Sequence, residues 1–445
     1  MGFYVTLFYL AFMISSPSEL VPELAPYRLQ WIVGGLAVLS TAVLITSTGY
    51  PVRNRQTLLM AGFFFMIPFS RFMRGWMGGA VYSISEFGAT AVVFFLLIAA
   101  PPSLSRIRHI AVALCLPAFY ACLRGILATY AGWNRETYIL AQNVFDSKSL
   151  QHTITDRIRF VGSFSDPNDL AQYFLVVIPF VGLLWRRGAV VRNFAVVIPL
   201  LFVLLFSIFL THSRGGLLGL VVLIAVLMRE YFNKVVMTIG SAALTVALLA
   251  ANFAGGRSID FNSGSDRIEA WGAGLSMLRS SPLWGIGYNL FTEHNDITAH
   301  NSFVLCFAEL GLLGFFFWLG LVVSTVLGLT QFLRRFRGLP GAEDLVRWGT
   351  AVRLALIGFL VTSWFLSRTY SVLLFVLVAM FVLLEKSGNR LLASSPAVAS
   401  WVQQREQQST RVRSQRGWHW LPTTATVQVT CLLTVWVLVR ARWSN

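Results

Sequence analysis

A polar stretch at residues 253–300 carries side chains that can do chemistry, in a chain that is otherwise strongly apolar. Its ionisable groups include Asp266, Arg267, Glu269, His294 and His300. A guanidinium binds anions, and an imidazole or a carboxylate can accept or release a proton. Hydrocarbon does not solvate such groups, so in a membrane protein they gather where the protein meets its substrate. The stretch is therefore the first candidate for a functional site.

The elements that position this stretch are predicted to be membrane helices. The chain has 445 residues, 56% hydrophobic and 12% charged, and its mean hydropathy is +0.67. A soluble protein of this size needs more polar surface. Apolar runs recur at lengths close to the roughly 20 residues with which a helix crosses a hydrocarbon core about 30 Å thick. We predict an all-α, polytopic membrane protein with about 12–13 transmembrane helices and a large loop between late helices.

The apolar runs set the predicted boundaries along the chain. They lie at 3–15, 29–46, 57–69, 80–100, 110–129, 170–185, 194–210, 215–228, 235–252, 301–332, 351–366, 370–384 and 424–439. The first, third and last are short, and runs below about 17 residues can be re-entrant or interfacial. The predicted parts are N-terminal transmembrane helices (1–129), a loop (130–169), central transmembrane helices (170–252), the large loop (253–300), C-terminal transmembrane helices (301–386), a basic linker (387–423) and a further apolar segment (424–445).

The distribution of Lys and Arg predicts which loops share a side of the membrane, because basic loops stay in the cytoplasm. Such residues recur in the alternate loops at 53–55, 106–108, 186–192, 229–234, 334–337 and 386–390. The loops predicted to lie outside are 16–28, 70–79, 130–169, 211–214, 253–300 and 367–369. Arg71 and Arg74 are exceptions on the outer side. Either they bind an anion or the run at 57–69 does not span.

Charge, cysteines and missing motifs exclude several classes of function. Membrane topology and anionic lipid headgroups explain the net charge of +16 without a nucleic acid. The cysteines lie in apolar runs without metal-ligand spacing, and we expect inert thiols at Cys115, Cys122, Cys306 and Cys431. The chain has no P-loop, dinucleotide, zinc-protease or serine-hydrolase motif. We therefore expect no cofactor and no metal, and the energy must come from the substrate or from a gradient.

Two shorter polar segments lie on the same predicted side as the large loop. In the first, Asp166-Pro167-Asn168 is a turn, and Asn168 or Asp169 is predicted to cap the next helix. That local role leaves Arg159 unexplained. In the second, at 211–216, Arg214 precedes two glycines at a helix start, where its guanidinium and exposed backbone N–H groups suit a phosphate. An arginine snorkelling at a helical hairpin is the alternative.

The large loop also admits ordinary structural roles. Ser265 and Asp266 form a capping-like helix start, and Asp266 and Glu269 can neutralise Arg267 on a surface helix. Trp284 and Tyr288 can be interfacial aromatics or can stack on sugar rings. His300 can be a polar residue that precedes a helix cap at Asn301 or Ser302.

In their order and spacing, these segments resemble the O-antigen ligase family over 159–314. The matching residues are Arg-x-x-Gly-x-Phe-x-Asp-Pro-Asn-x-Leu-Ala from 159, Thr-x-Ser-Arg-Gly-Gly from 211, Arg-x-x-x-Trp from 267, Ser-Pro-Leu-x-Gly-x-Gly from 281, Ala-His-Asn-Ser-Phe from 299 and Ala-Glu-Leu-Gly-Leu-Leu-Gly from 308. The segment at 16–29 also resembles O-glycosylation ligases that accompany exosortase systems.

The resemblance implies a bacterial inner-membrane glycosyltransferase of the GT-C type. It implies an undecaprenyl-pyrophosphate-linked glycan as donor, used on the periplasmic side. The family's arginines that contact pyrophosphate correspond to Arg214 and Arg267, and its proposed general base corresponds to His300. Arg159 is predicted as a further pyrophosphate contact. The added apolar segment at the end of the chain and the compact loop depart from the family pattern, so the identity of the acceptor is not carried over.

The residue chemistry is consistent with that mechanism. Two arginines can neutralise a leaving pyrophosphate without a metal, and an imidazole with a pKa near 6.5 can take a proton from a hydroxyl. Since no protein nucleophile is evident, we predict single displacement with inversion. Glu309, Asn301 and Ser213 are predicted supporting residues. Glu309 either orients His300 or lies in the polar core of the bundle.

Three functions remain open at this stage. A ligase would join the glycan to lipid A-core, to a protein or to another glycan. A polymerase would use a second lipid-linked glycan as acceptor. A transporter or flippase for an anionic lipid-linked sugar belongs to a different class and would also place arginines in a membrane protein.

Overall fold

A computed structural model describes residues 2–48, 54–146, 151–229, 261–394 and 419–443, together with 238, 240 and 242. Most of the predicted run at 235–252 and most of the linker at 387–423 lie outside these residues. The longer helices are α1 (Gly2–Ser15), α2 (Leu29–Thr48), α3 (Arg55–Phe72), α4 (Met77–Ala99), α5 (Leu104–Tyr130), α6 (Pro167–Gly182), α7 (Ile198–Leu210), α8 (Arg214–Met228), α9 (Phe261–Ser280), α10 (Ser302–Phe336), α11 (Glu343–Ser363), α12 (Val372–Ser394) and α13 (Trp420–Trp443).

Short elements connect these helices. The α-helical turns are Pro17–Leu20, Arg135–Tyr138, Val190–Arg192 and Phe291–His294. Segments Pro22–Tyr27 and Gly162–Phe164 are 3-10 helices, and Asn193–Val197 is a π-helical turn. The strands are β1 (Ile139–Asp146) and β2 (Gln151–Ile158). The predicted all-α class is confirmed.

Seven helices in the described residues are long and apolar enough to cross a membrane. They are α4, α5, the stretch Val190–Leu210, α10, α11, α12 and most of α13. Shorter apolar helices are Gly2–Ser15, Leu29–Val43 and Arg214–Met228. The protein is therefore a multi-pass membrane protein. The last predicted run lies in a helix of sufficient length, while the first and third lie in helices outside the seven.

The loops predicted to lie outside meet at one end of the bundle, which we call the His300 end. Arg71 at the end of α3 donates from Nε to the Tyr288 carbonyl at 2.7 Å. Arg157 donates from Nε to the Thr211 carbonyl at 2.8 Å. These bonds join loops that are far apart in sequence, and they gather the polar segments named above.

The Arg71 side chain makes its contacts with groups inside the protein. Its NH1 group donates to the Gly79 carbonyl at 3.3 Å, and its guanidinium lies 4.8 Å from the ring centroid of Trp76. The side chain is buried. These contacts give Arg71 a structural role, since carbonyls and aromatic rings surround it, and they do not support the first of the two alternatives, an anion ligand.

The loop at 130–169 contains a β-hairpin that the sequence pattern did not predict. Strand β1 pairs antiparallel with β2, with Ile139 opposite Ile158. The β-branched residues Thr153, Ile154 and Thr155 favour extended backbone. The hairpin ends immediately before Arg159 and so delivers the first polar segment to the His300 end.

Helix α10 is broken at Gly311, which has φ 64° and ψ −169°. The ring centroids of Phe303 and Trp318 lie 5.2 Å apart. In a continuous helix, residues with this spacing would be separated by about 22 Å along the axis. The segment before Gly311 therefore folds back toward the segment after it. The predicted single span at 301–332 is wrong in this respect.

A loop segment, Ser281–Gly287, fills the break by pairing its backbone with that of α10. Gly287 N donates to the Glu309 carbonyl at 3.0 Å, and Leu312 N donates to the Pro282 carbonyl at 2.8 Å. Backbone groups freed by the break thus regain partners, as they must in the interior of a membrane protein. The loop and the first segment of α10 form one hydrogen-bonded unit.

We expect Gly311→Ala to destabilise the protein by about 2 kcal/mol or more, because it adds a Cβ in a left-handed backbone. That Cβ would lie 2.4 Å from the Leu283 carbonyl carbon. Gly88→Ala in α4 is the control, since a Cβ there meets nothing within 4 Å. Thermal unfolding of the purified variants measures both effects. Equal unfolding midpoints for the two variants would contradict the proposed constraint at Gly311.

Candidate functional site

Arg214 is the first residue of α8, and the turn before it is fixed by local bonds. Ser213 caps the helix, its Oγ accepting from Gly216 N at 3.1 Å. His212 has a left-handed backbone with φ 47°. A Cβ at Gly216 would lie 2.9 Å from Ala171 Cβ, so glycine permits close packing of α8 on α6. Ser213 thus acts through the backbone, by positioning Arg214 at a helix start.

Arg267 lies on α9 one turn before Trp271, so both side chains share a face of that helix. Trp271 donates from Nε1 to the Ala299 carbonyl at 3.0 Å. This bond brings the face that carries Arg267 against the residue preceding His300. Helix α9 begins at Phe261, so the predicted helix start at Ser265 and Asp266 is wrong. Asp266 and Glu269 are exposed.

His300 connects this contact to α10 and has a left-handed backbone with φ 45°. Asn301 caps α10, its Oδ1 accepting from Phe303 N at 2.9 Å and from Val304 N at 3.1 Å. This confirms one of the two predicted caps. His300 is thus held between a bonded carbonyl at Ala299 and a helix cap at Asn301.

The turn at 367–369 fixes the start of α10 through Ser302. Ser302 Oγ donates to the Leu366 carbonyl at 2.6 Å and accepts from Arg368 N at 2.8 Å. Thr369 Oγ1 donates to the Ser302 carbonyl at 2.6 Å. Three bonds therefore hold the residue that follows Asn301, which makes the cap a rigid support for His300.

Arg267 lies close enough to both Arg214 and His300 for their charges to interact. Burial, followed by the positive charge of Arg214, lowers the pKa of Arg267. Burial, followed by the positive charge of Arg267, lowers the pKa of His300 below its ordinary value of 6.5. Both groups also interact with the Asp166 carboxylate, which raises each pKa. The site therefore combines two guanidinium groups with an imidazole that is neutral at pH 7.

Asp166 belongs to this cluster, whereas the sequence pattern favoured its neighbours Asn168 and Asp169 as helix caps. It caps α6, its Oδ1 accepting from Asn168 N at 2.7 Å, so the predicted cap at Asn168 or Asp169 is wrong. Its side chain is exposed. The turn Asp166-Pro167-Asn168 contained the signal, because proline favours the first helical position and an acidic residue before it is a natural cap.

In the structure, the Arg159 side chain donates hydrogen bonds to backbone carbonyls of the turn Arg135–Tyr138. Its Nε donates to the Thr137 carbonyl at 3.1 Å and its NH2 group to the Glu136 carbonyl at 2.8 Å. Arg157 is the arginine of this segment that reaches the turn before Arg214. Its NH2 group donates to Asn168 Oδ1 at 2.9 Å. A role for Arg159 in binding pyrophosphate stays a prediction.

Arg368 is a residue that sequence reasoning missed. Its NH1 group donates to the Ser163 carbonyl at 2.8 Å and lies 3.2 Å from Asp169 Oδ2. Its backbone N–H binds Ser302, as described above. It therefore links the loop before α6 to the start of α10. A lone arginine in a three-residue turn gave no sequence signal for this role.

Glu309 lies in the first segment of α10 and is buried. Its Oε1 accepts from Phe291 N at 3.1 Å, and its Oε2 accepts from the Tyr370 hydroxyl at 2.6 Å. These contacts agree with the second predicted alternative, a place in the polar core. Glu309 thereby binds the loop that precedes His300. It is itself several residues away from His300 in the chain.

The described residues contain no group of three or more His, Cys, Asp or Glu side chains that could hold a metal ion. The cysteines are free thiols that are buried or partly buried in helices. Positive charge at the site is supplied by arginines. The arrangement can bind an anion and can accept a proton at His300.

The pH dependence of any reaction that uses neutral His300 follows from these charges. Protonation of the imidazole removes the base, so activity should fall as pH decreases through the His300 pKa, below 6.5. Removing the Asp166 carboxylate removes a charge that raises this pKa. We expect Asp166→Asn, which retains a capping oxygen, to shift the acid limb of kcat/KM to lower pH. Asp296→Asn, on an exposed residue of the same loop, is the control; an unshifted Asp166→Asn profile would contradict the coupling.

Comparison with known proteins gives a match over the central part of the chain. Residues 199–319 match the family model described as O-Antigen ligase. The matched region contains Arg214, Arg267 and His300, while Arg159, Asp166 and Arg368 lie outside it. No curated protein matches the chain.

Proposed function

We propose, from the assignment of this multi-pass membrane protein to the O-antigen ligase family over residues 199–319, that it transfers a glycan from undecaprenyl pyrophosphate to an acceptor hydroxyl. The family supports a function of the glycan ligase or polymerase type. The observation that carries the finer proposal is the convergence of Arg214, Arg267 and His300 at one end of the bundle. The exosortase-associated subgroup stays a prediction.

Arg214 and Arg267 are assigned to the pyrophosphate of the donor. Their guanidinium groups interact electrostatically with each other, and Arg267 is half-buried. The interaction of two like charges is unfavourable, and a bound anion relieves that repulsion. Because guanidinium groups stay charged and bind phosphate oxygens in pairs, they can stabilise the negative charge that develops as the pyrophosphate leaves.

His300 is assigned as the general base. In the reaction, the acceptor hydroxyl oxygen forms a bond to the anomeric carbon while the bond from that carbon to the pyrophosphate oxygen breaks. His300 takes the hydroxyl proton, and the electron pair of the broken bond leaves with undecaprenyl pyrophosphate. The lowered pKa of His300 keeps the imidazole neutral at pH 7. A single displacement of this kind inverts the anomeric configuration.

Supporting residues act through the backbone in this proposal. Ser213 fixes the turn that carries Arg214, and Glu309 holds the loop between Arg267 and His300. The donor of the family implies a site that faces the periplasm in the bacterial inner membrane. The clustering of the polar loops at the His300 end supports a single membrane face for the reaction.

Product analysis tests the proposal. The purified protein would be incubated with an undecaprenyl-pyrophosphate-linked glycan and, separately, with lipid A-core, a protein acceptor or a second lipid-linked glycan. Mass spectrometry would identify what becomes covalently joined. Transfer of one glycan to lipid A-core or protein is the expected result for a ligase, and chain growth would indicate a polymerase. Movement of the lipid-linked glycan across vesicles without a covalent product would favour a transporter and overturn the proposal.

A further inference from the structure

The side chain of Asn301 has a polar atom that its role as a helix cap does not explain. Its Oδ1 accepts two backbone N–H bonds from the first turn of α10, which settles which branch of the amide is the oxygen. The residue is completely buried at 0% exposure. Within the described part of the chain, Nδ2 has no hydrogen-bond partner. The cap thus provides hydrogen bonds for the amide oxygen and leaves the amide nitrogen without one.

A buried amide donor of this kind points to a ligand. Most buried polar side-chain atoms in proteins have a hydrogen-bond partner, and those that lack one require an explanation. Because Oδ1 is bound by the first turn of α10, Nδ2 is the branch of the amide that remains for a partner outside that turn. His300 directly precedes Asn301 in the chain. The donor therefore belongs to the direct neighbour of one of the three predicted site residues.

The charges around this region favour an anionic oxygen as the partner. The start of a helix carries a partial positive charge. His300 interacts with Arg267, and Arg267 with Arg214. In positively charged surroundings, a neutral N–H group binds a phosphate oxygen more strongly than an uncharged hydroxyl, since hydrogen bonds to ionised groups are stronger.

We propose that Nδ2 of Asn301 donates a hydrogen bond to an oxygen of the lipid-linked pyrophosphate. The inference rests on the proposed function and assigns one more contact to the donor substrate. Asn301 then has two functions in one amide, because Oδ1 holds the start of α10 while Nδ2 binds the substrate. The cap and the binding contact are thereby fixed in a single geometry beside His300.

Binding measurements separate this role from capping. Serine also caps helices well but has no amide donor, so Asn301→Ser removes Nδ2 and retains a capping oxygen. The full-length protein in lipid nanodiscs would be titrated with undecaprenyl pyrophosphate and with undecaprenol, which lacks the phosphates. We expect Asn301→Ser to weaken the binding of undecaprenyl pyrophosphate about 10-fold to 100-fold. Binding of undecaprenol should be unchanged.

A second variant at position 301 replaces a group that attracts the pyrophosphate with one that repels it. Asn301→Asp retains a capping oxygen and replaces the donor with a negatively charged acceptor. We expect a larger loss of pyrophosphate binding than with Asn301→Ser, together with a parental thermal midpoint. If Asn301→Ser itself loses thermal stability, the affinity of a folded Asn301→Asp decides the question.

Asn54→Ser is the matched control. Asn54 caps α3 through an Oδ1 that accepts from Thr57 N at 2.9 Å, and α3 begins at the end of the bundle opposite His300. This change removes an amide from a helix cap far from the site. Its binding of undecaprenyl pyrophosphate should equal that of the parent.

The outcomes distinguish the inference from the proposed function. If the parent binds undecaprenyl pyrophosphate and transfers glycan but Asn301→Ser binds the lipid equally well, the inference is overturned and the function stands. A change confined to the KM of the acceptor would also overturn it, since the contact would then be with the acceptor hydroxyl. If the parent neither binds the lipid nor transfers glycan, both fail.

Discussion

His300→Ala should reduce glycan transfer by about 100-fold to 10,000-fold, the usual contribution of a positioned general base. The imidazole is neutral at pH 7 and so is available to accept the proton. The imidazole is half-buried, its pKa is lowered below 6.5, and it interacts with Arg267, which is assigned to the leaving group. Transfer rates at saturating donor and acceptor, measured at pH 7, would give the effect on kcat.

His294→Ala is the control for this variant. His294 lies in the same loop, is exposed, and has Nδ1 3.0 Å from the Leu290 carbonyl. It has no role in the proposed mechanism, so its variant should retain parental transfer. His300→Ala should retain the parental affinity for undecaprenyl pyrophosphate, because the base acts on the acceptor. Transfer at the parental rate by a folded His300→Ala protein would remove His300 from the mechanism.

Arg267→Ala should reduce kcat/KM for the donor by about 100-fold to 1,000-fold, comparable to the removal of one preorganised contact to a developing negative charge. The effect should exceed that of an exposed arginine because Arg267 is half-buried beside Arg214. Arg267→Lys should recover part of the loss, since an ammonium keeps the charge but not the paired donors. Steady-state kinetics with varied donor would provide the comparison.

Arg279→Ala tests the same change in charge on the same helix. Arg279 lies in the last turn of α9 and is exposed. Equal losses from Arg267→Ala and Arg279→Ala would mean that net charge, and not a specific contact, governs donor binding. A large loss only in Arg267→Ala would support the assignment.

The three residues at the centre of the candidate site could be proposed from the sequence because each lies in a short local pattern. Arg214 precedes two glycines at a helix start, Arg267 precedes Trp271 by one turn, and His300 precedes a helix cap. Such patterns depend on neighbours within a few residues, so they can be read from the chain. The structure adds the evidence that their positions in space are close.

The supporting contacts were not predictable because they join distant segments. Arg368 binds Ser163 and Ser302, and neither pairing leaves a periodic pattern in sequence. The break at Gly311 was hidden for a related reason. A continuous apolar run gives the same hydropathy whether the helix is straight or folded back, and only the pairing with Ser281–Gly287 determines which conformation forms.

The break at Gly311 also determines how the site responds to the thickness of the bilayer. Membrane helices adjust to thicker or thinner lipid by tilting. A rigid rod from Ser302 to Phe336 would transmit each change of tilt to His300. Instead the rod is interrupted, and the part nearest His300 is attached to the loop after α9 by backbone bonds at Glu309. We therefore expect the position of His300 relative to Arg267 to change less with lipid composition than the tilt of the rest of the helix does.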